Sequence, residues 1–272
     1  MGFVPCGLLF TLMRNFDPFL TLIDSAQVFH WQKIGDRYVA VVNGRIMTDA
    51  DTDAAARFYF DDDRDYSHLG SNCCMECAQK AVSMLPGLRV LNQPAWEALI
   101  AFILSANNNV SRIRNLVLTL CEKYGDNYTY NGTVLHGFPS PETLASLDPS
   151  ALRKEVTCGY RAEYLIETAK MVRDGFDLEA LRHMPTDEAK KELTRLKGVG
   201  PKVADCVLLF GLGHTDAFPV DVWVERLMES WFDVHGSRAH LCAEARRILG
   251  PECGLIQQSL FHAARTGLIK LK

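Results

Sequence analysis

The segment LKGVGPKVADCVLLF, residues 196–210, constrains the fold more than any other part of the sequence. Its Gly-Val-Gly triplet allows a tight turn, because glycine adopts backbone angles that other residues avoid. Pro201 follows at a position favoured for the first residue of a helix. Thr186 is a typical N-cap residue and predicts a preceding helix that runs to about Lys197. The segment therefore predicts two helices joined by a glycine hairpin.

Gly198, Val199 and Gly200 would bring backbone N–H groups to the surface in this hairpin. A phosphate can approach such groups and the following helix N-terminus without obstruction by a Cβ atom. Sequence-independent contact with the DNA backbone is the usual role of such a turn. A helical hairpin with a purely structural role is the alternative that the motif alone leaves open.

Lys202 and Asp221 are candidate chemical groups beside this hairpin. Lys202 falls in the first helical turn, where the helix dipole disfavours an ammonium by roughly 0.3–1 kcal/mol and so favours a nucleophilic amine. Asp221 lies in FPVDVW, directly before an apolar-periodic helix predicted over residues 222–231. Taken singly, the two are more simply explained as a surface lysine and a helix N-cap, so their combination is the informative feature.

The composition is that of a packed globular protein, with 48% hydrophobic and 23% charged residues among 272. A net charge of −4 argues weakly against nucleic acid as a partner. However, residues 51–70 contain six aspartates and two arginines, which account for that whole net charge. The remainder is neutral and leaves room for a basic face elsewhere.

The nine cysteines and the apolar start bear on the compartment. Residues 2–13 are apolar but lack a basic leader and a small-residue cleavage site, so we interpret them as a core strand and not as a signal peptide. No apolar run is long enough to span a membrane. Cysteines without a secretory signal predict thiols in a reducing compartment, either cytoplasmic or nuclear.

The hydrophobic pattern predicts a mostly α protein with a small N-terminal antiparallel β-sheet, an α+β class. Short β-prone runs are separated by Gly-Asp and Asn-Gly turns, which are typical of tight hairpins. From about residue 52 the apolar spacing is helical, and a turn-rich stretch over residues 125–141 is a candidate hinge between helical lobes. The predicted strands are 28–34, 37–42 and 45–48, and the predicted domains are 1–50, 51–138 and 139–272.

GVGPKVAD followed by PVDV resembles the helix-hairpin-helix DNA glycosylases, and more closely their 8-oxoguanine DNA glycosylase branch. The resemblance extends over nearly the whole chain and implies helical lobes that flank a DNA-binding cleft. Four further segments match the family in order: SANNNVSRI (105–113), HGFP (136–139), GYRA (159–162) and QQSLF (257–261).

The resemblance implies a glycosylase with β-lyase activity that needs no cofactor. Lys202 would attack the sugar C1′ and form a Schiff base, and Asp221 would stabilise the oxocarbenium-like charge. Phe261 would stack on the extruded base, Gln257 would bind its Watson–Crick edge, and Cys206 would close the other side of the pocket. An ionised Lys202–Cys206 pair would add a dipole.

A second set of residues is implied to contact the opposite strand and the DNA backbone. Asn107, Arg112 and Arg161 would read the orphaned cytosine, with Tyr160 as the wedge. Gly198, Val199, Gly200 and Trp223 would contact the DNA backbone.

The sequence departs from the family pattern at Ala26, His30 and Trp223. Ala26 replaces a glycine whose carbonyl accepts a hydrogen bond from N7–H of the lesion. His30 stands in place of an arginine, and Trp223 in place of a histidine. These departures make the lesion specificity less defined by the sequence than the reaction type.

A metal site is not predicted. The iron–sulfur loop of the endonuclease III branch cannot form, because Cys253 is alone after Cys242. Cys73, Cys74 and Cys77 have no second pair with the spacing that a zinc site needs.

The predicted partner is double-stranded DNA that contains an oxidised purine. We expect a monomer without a membrane partner, in the cytoplasm and nucleoid of a bacterium or in a eukaryotic nucleus. Two alternatives remain open: a glycosylase of the same superfamily for another oxidised or alkylated purine, and a non-catalytic helix-hairpin-helix DNA-binding module.

Overall fold

A computed structural model describes residues 16–69 and 76–270, which form a mostly helical protein with the predicted small N-terminal antiparallel sheet and a second, two-stranded sheet that was not predicted. The strands are β1 (Gln32–Ile34), β2 (Arg37–Val42), β3 (Arg45–Thr48), β4 (Asn127–Tyr130) and β5 (Thr133–His136). The helices are α1 (Ala54–Tyr59), α2 (Glu76–Ser83), α3 (Ala95–Ser105), α4 (Val110–Tyr124), α5 (Pro141–Ala145), α6 (Pro149–Val156), α7 (Arg161–Arg173), α8 (Thr186–Leu193), α9 (Pro201–Leu212), α10 (Val222–Phe232), α11 (Arg238–Leu249) and α12 (Cys253–Thr266). A π-helical turn covers Leu20–Asp24 and a 3₁₀ turn covers Glu179–His183. The predicted strand over residues 2–13 lies outside the described residues.

The N-terminal sheet has the order β1-β2-β3, and both hairpins form at the predicted turns. The first strand is shorter than predicted, because it begins at Gln32 and not at residue 28. The side chains before it pack into the core: Phe29 lies edge-on to Phe102, and Trp31 donates to the hydroxyl of Tyr59. These contacts, and not strand pairing, fix residues 28–31.

Residues 125–141, interpreted from the sequence as a hinge, form an ordered β-hairpin of β4 and β5. Tyr128 pairs with Leu135, and Leu135 is buried against Val39 and Val41 of β2. The stretch is therefore a β-hairpin whose apolar residues join the second sheet to the first, and a hinge between helical lobes at this point stays a prediction.

Helix α3 runs through the middle of the largest core cluster and packs against α9. The rings of Phe102 on α3 and Phe210 on α9 are stacked, with their centroids 5.4 Å apart. Ser105, at the end of α3, comes within 3.4 Å of Lys202 at the start of α9. This packing brings the first turn of α9 to the end of α3.

The predicted helix-hairpin-helix is present as α8, residues 194–200 and α9. Helix α8 ends at Leu193, earlier than predicted. Thr186 is its first residue and not its cap, since its hydroxyl bonds to Asp216 and His214. Pro185 holds the cap position without a side-chain bond.

Candidate active site

A cleft of about 770 Å³ lies between the end of α3, the first turns of α9 and α10, and α12. A narrower recess of about 40 Å³ shares part of its lining and is also bounded by Cys206 and Gln257. The predicted residues that these two cavities bring together are Ala26, Asn107, Lys202, Cys206, Asp221, Trp223, Gln257 and Phe261.

Lys202 is half-buried in the cleft. Its Nζ lies 3.4 Å from the hydroxyl of Ser105 and 5.2 Å from the centroid of the Phe102 ring. The amine therefore lies beside a hydroxyl group and the face of an aromatic ring. Sequence reasoning did not assign roles to these two supporting residues, although Ser105 opens one of the family-like segments.

Cys206 is buried one turn after Lys202. Burial raises the pKa of the Cys206 thiol to about 11, and the nearby Lys202 opposes this only in part. The thiol is therefore neutral at pH 7 in the free protein. Desolvation therefore disfavours the ionised form of the Lys202–Cys206 pair, on which its dipole depends.

Asp221 is both a helix cap and a cleft residue. Its Oδ1 accepts hydrogen bonds from the backbone N–H groups of Trp223, at 3.0 Å, and Val224, at 2.9 Å. Both cap bonds fall on the same oxygen, and no group of residues 16–69 or 76–270 donates to Oδ2. The carboxylate is thus fixed in direction at the edge of the cleft and still has an acceptor oxygen to spare.

The recess is bounded by Gln257 and Phe261, one turn apart on α12. The amide nitrogen of Gln257 donates to the carbonyl of Pro219 at 3.2 Å, whereas its buried Oε1 has no hydrogen-bond partner in the described part of the chain. Such an orphan acceptor costs free energy until a donor arrives. A ligand with an N–H group would satisfy it.

Ala26 lines both cavities. Its φ is +60°, in the left-handed region that alanine seldom adopts. The replacement of the family's glycine is therefore accompanied by the backbone conformation that glycine favours, with a methyl group added.

The residues predicted to meet the opposite strand differ in availability. Asn107, exposed at the cleft, lies 3.3 Å from the hydroxyl of Tyr160, whose ring is 46% exposed. Arg112 is exposed and donates to the carbonyl of Thr157. Arg161 is buried instead: its guanidinium holds the carbonyl of Ala106 and lies 4.5 Å from the Tyr160 ring. A role for Arg161 in reading a base stays a prediction.

The hairpin amides are only partly free. The N–H of Val199 donates to Leu196 within the turn, and its side chain is buried in the core. The N–H groups of Gly198 and Gly200 have no acceptor among residues 16–69 and 76–270. Any anion bound at the turn would therefore meet the two glycines first.

His30 and Glu97 form a buried polar pair outside the cleft. Their nearest atoms, Nε2 and Oε2, are 3.9 Å apart, and neither atom has a hydrogen-bond partner within the described ranges. Burial lowers the pKa of His30 to about 3 and raises that of Glu97 to about 8. At pH 7 the imidazole is neutral and the carboxyl is mostly protonated. His30 therefore supplies no charge where the family has an arginine.

Within the residues that the structure describes, no cluster of His, Cys, Asp or Glu has the arrangement of a metal site. Cys73 and Cys74 lie outside those residues, and Cys77 is a half-buried cysteine. Among the described helices, none is both long and apolar enough to cross a bilayer.

The chain is similar to two proteins of known description over two thirds of its length. It is 37% identical over 196 residues to an N-glycosylase/DNA lyase of Saccharomyces cerevisiae, covering 67% of this chain and 52% of the yeast protein. It is 35% identical over 207 residues to a probable N-glycosylase/DNA lyase of Methanothermobacter thermautotrophicus, covering 67% and 65%. The chain thus spans about half to two thirds of the length of these relatives.

A solved structure is similar over nearly the whole fold. It is the Clostridium acetobutylicum 8-oxoguanine glycosylase/lyase in complex with double-stranded DNA that contains cytosine opposite 8-oxoguanine. The two chains are 29% identical, with a TM-score of 0.86 and 94% of each chain covered. The model of the HhH-GPD superfamily matches residues 100–250, which include the glycine hairpin, Lys202 and Asp221. The chain therefore belongs to the HhH-GPD superfamily of base excision DNA repair proteins.

Proposed function

We propose that this chain is a base-excision repair DNA glycosylase with β-lyase activity that removes 8-oxoguanine paired with cytosine. The observation that supports this most is the meeting of Lys202, Asp221 and Phe261 in one cleft. The descriptions of the yeast and archaeal relatives agree with the lyase activity, and the clostridial structure agrees with the lesion.

In the proposed reaction the Lys202 amine attacks C1′ of the damaged nucleotide. A new C–N bond forms, and the C1′–N9 bond breaks with its electron pair on the base, which takes up a proton. Opening of the sugar ring then gives the imine. Loss of a C2′ proton breaks the C3′–O bond, and the 3′ phosphate is the leaving group, so the strand is cut.

Asp221 acts on the positive charge that develops on the sugar as the base departs. Its cap bonds fix the carboxylate before substrate arrives, so little reorganisation is needed in the transition state. Because the charge is present only in the transition state, this interaction serves the chemical step more than ground-state binding.

The base occupies the recess beside Gln257 and Phe261. At about 40 Å³ the recess admits only a few water molecules in this conformation, so its walls move apart when a purine enters. Gln257 and Phe261 address features that guanine and 8-oxoguanine share. Discrimination therefore falls to N7, which carries a proton only in the lesion, and to the Ala26 carbonyl. A mismatched hydrogen bond there costs about 1–3 kcal/mol.

The enzyme acts as a monomer on duplex DNA that contains an oxidised purine, in the bacterial cytoplasm and nucleoid or in a eukaryotic nucleus. The duplex is held by the Gly198–Gly200 turn and by Trp223, which is 39% exposed at the cleft. Arg112 and Tyr160 reach the strand opposite the lesion.

Borohydride trapping on duplex DNA with an abasic site tests the central assignment. The wild-type protein should give a covalent adduct, and Lys202→Gln should give none. Lys191→Gln is the matched control, since Lys191 is an exposed lysine on α8 outside the cleft. An undiminished adduct from Lys202→Gln would refute the role of this amine.

The lesion is tested separately by base release from duplexes that carry different damaged purines. The methyl group of Ala26 at the cleft is the observation that favours an alternative oxidised or alkylated purine. Faster release of such a base would change the proposed lesion and leave the lyase chemistry intact. DNA binding with neither adduct nor base release would instead indicate a non-catalytic DNA-binding module.

A further inference from the structure

Helix α12 presents two neighbouring rows of side chains. Gln257 and Phe261 bound the base recess. Gln258, His262 and Arg265 follow at helical spacing and contact residues 24 and 25, which precede Ala26. The second row therefore binds the segment that precedes Ala26, and its first member, Gln258, also lines the recess.

Two backbone carbonyls before Ala26 are held by this second row. The amide nitrogen of Gln258, a side chain buried at 2% exposure, donates to the carbonyl of Ser25 at 2.7 Å. The guanidinium of Arg265 donates to the carbonyl of Asp24 and, at 3.1 Å, to its carboxylate. Both donors act on backbone positions, so they fix the path of the chain into residue 26.

The chain after Ala26 is fixed from the other direction. The carbonyl of Gln27 accepts from the side chain of Gln93 at 2.8 Å. The buried Gln27 side chain donates to the carbonyl of Arg89 and accepts from the N–H of Leu91. The carbonyls at 24, 25 and 27 are thus all engaged, whereas that of Ala26 has no partner within residues 16–69 and 76–270.

We propose that Gln258 and Arg265 are positioning residues that aim the free Ala26 carbonyl into the cleft and thereby set its purine preference. The inference rests on the proposed function, in which that carbonyl distinguishes the lesion from guanine. Ala26 needs such support, because its φ of +60° is unfavourable for a residue with a Cβ. Hydrogen bonds to the carbonyls before and after Ala26 hold the turn in a conformation that is unfavourable for alanine.

Arg265 also links the turn to the ring of Phe261. Its guanidinium lies 6.0 Å from the ring of Phe261, and the residue lines the cleft beside Ala26. The same side chain therefore contacts the wall that would stack on the base and the wall that would read its N7. Loss of Arg265 should alter their relative placement.

The test uses the full chain and two variants, Gln258→Met and Arg265→Met, which keep the side-chain bulk and remove the donors. Affinities for duplexes with 8-oxoguanine or guanine opposite cytosine are measured in a Lys202→Gln background, so that no base is excised. Each variant should lower the ratio of the two affinities by about tenfold, as expected for loss of one well-placed hydrogen bond.

A second readout separates positioning from general damage to the fold. With Lys202 intact, strand cleavage at a preformed abasic site should change by less than roughly twofold, because no base is read there. Arg265→Lys keeps the charge and one donor, and should restore part of the preference. It also provides the test should Arg265→Met fail to fold.

Arg238→Met is the matched control, since Arg238 lines the same cleft but pairs with Glu225 on α10. Arg238→Met should weaken binding to both duplexes by the same factor and so leave the ratio of the two affinities unchanged. The inference would be overturned if folded Gln258→Met and Arg265→Met kept the wild-type affinity ratio. It would also be overturned if Arg238→Met lowered the affinity ratio as much as they do, or if their abasic-site cleavage fell by the same factor as their affinity ratio. Failure of the proposed function would give a different result from failure of this inference. The wild-type protein itself would then form no adduct with abasic DNA or bind 8-oxoguanine and guanine duplexes equally well.

Discussion

Among the turns that place a residue in the left-handed region, the α8–α9 hairpin and the turn at Ala26 do so by different means. In the hairpin between α8 and α9, Gly198 has φ +81°, and glycine adopts this angle without cost. In the turn over residues 25–27, Ala26 has φ +60°, which is sterically unfavourable because alanine has a Cβ atom. The hairpin is thus set by the type of its residue, and the other turn by its neighbours.

The supporting contacts differ in number, since in the hairpin one side chain, that of Thr168, donates to a backbone carbonyl, that of Lys197, at 2.8 Å. The helices on either side of the hairpin are joined by one buried ion pair, Lys190 with Asp205, at 2.7 Å. The turn around Ala26 is held by side-chain donors on consecutive backbone carbonyls. A change of residue type should therefore damage the hairpin most, and a change of neighbour should damage the other turn most.

The largest effect is expected for Gly198→Ala. A Cβ atom at this position would lie 2.6 Å from the ring of Tyr164, and the backbone angle is itself unfavourable for alanine. Strain of the angle and overpacking together should lower the free energy of unfolding by about 2–5 kcal/mol. Denaturant unfolding followed by circular dichroism measures this difference.

Gly200→Ala is the matched control for that substitution. Gly200 has φ −86°, and nothing lies within 4 Å of an added Cβ. Its stability should rise by up to about 1 kcal/mol, because alanine reduces the conformational entropy of the unfolded chain and the site is unstrained. Similar losses in the two variants would show that conformation at Gly198 is not what makes the hairpin depend on residue type.

This division also explains what the sequence could predict. Glycines, a proline and hairpin dipeptides encode local geometry, so the α8–α9 hairpin and the N-terminal turns were found with correct positions. The hairpin of β4 and β5 was missed although its signal was local: Asn131-Gly132 stands between alternating apolar residues.

The hydrogen bonds that hold the turn at Ala26 could not be predicted from the sequence, because Gln258 and Ser25 are 233 positions apart in the chain. Burial of Arg161 was missed for a similar reason, since its acceptor, Ala106, lies on another segment. Arg265 is different: it follows Phe261 by one helical turn, so the spacing on α12 alone would have placed it near the cleft.

A smaller effect is expected for Lys190→Met, which removes one member of the buried pair. Asp205 has a 4% exposed side chain, and burial raises its pKa to about 6 although Lys190 opposes the shift. Without Lys190, folding at pH 7 must either bury an unpaired carboxylate or protonate Asp205, whose pKa rises further. The expected loss is roughly 2–4 kcal/mol of unfolding free energy.

The sign of the pH dependence follows from the same group. The folded-state pKa of Asp205 lies above its ordinary value, so protonation favours the folded state. The loss in Lys190→Met should therefore shrink as the pH falls from 7 to 5. It should also be small at pH 7 in the double variant with Asp205→Asn. A loss equal at both pH values would show that the pair acts through packing and not through charge.

The smallest effect, and the sharpest test of the comparison, is expected for Ala26→Gly. Relief of the left-handed strain favours the folded state, whereas the greater freedom of glycine favours the unfolded state, so stability should rise by less than about 1 kcal/mol. Ala106→Gly is the control, because Ala106 also lines the cleft but has φ −56°. There only the unfavourable contribution remains, and stability should fall by roughly 0.5–1 kcal/mol.

Purine preference then distinguishes residue type from neighbours at this turn. If the bonds from Gln258 and Arg265 hold the turn, Ala26→Gly alone should leave the 8-oxoguanine-to-guanine affinity ratio within roughly twofold, since the carbonyl keeps its direction. The double variant Ala26→Gly/Arg265→Met should lower the affinity ratio by more than the two single effects combined. In it, a flexible glycine has lost the hydrogen bonds from Arg265 that held the turn. Additive effects, or a large loss from Ala26→Gly alone, would mean that the methyl group itself sets the geometry of the turn.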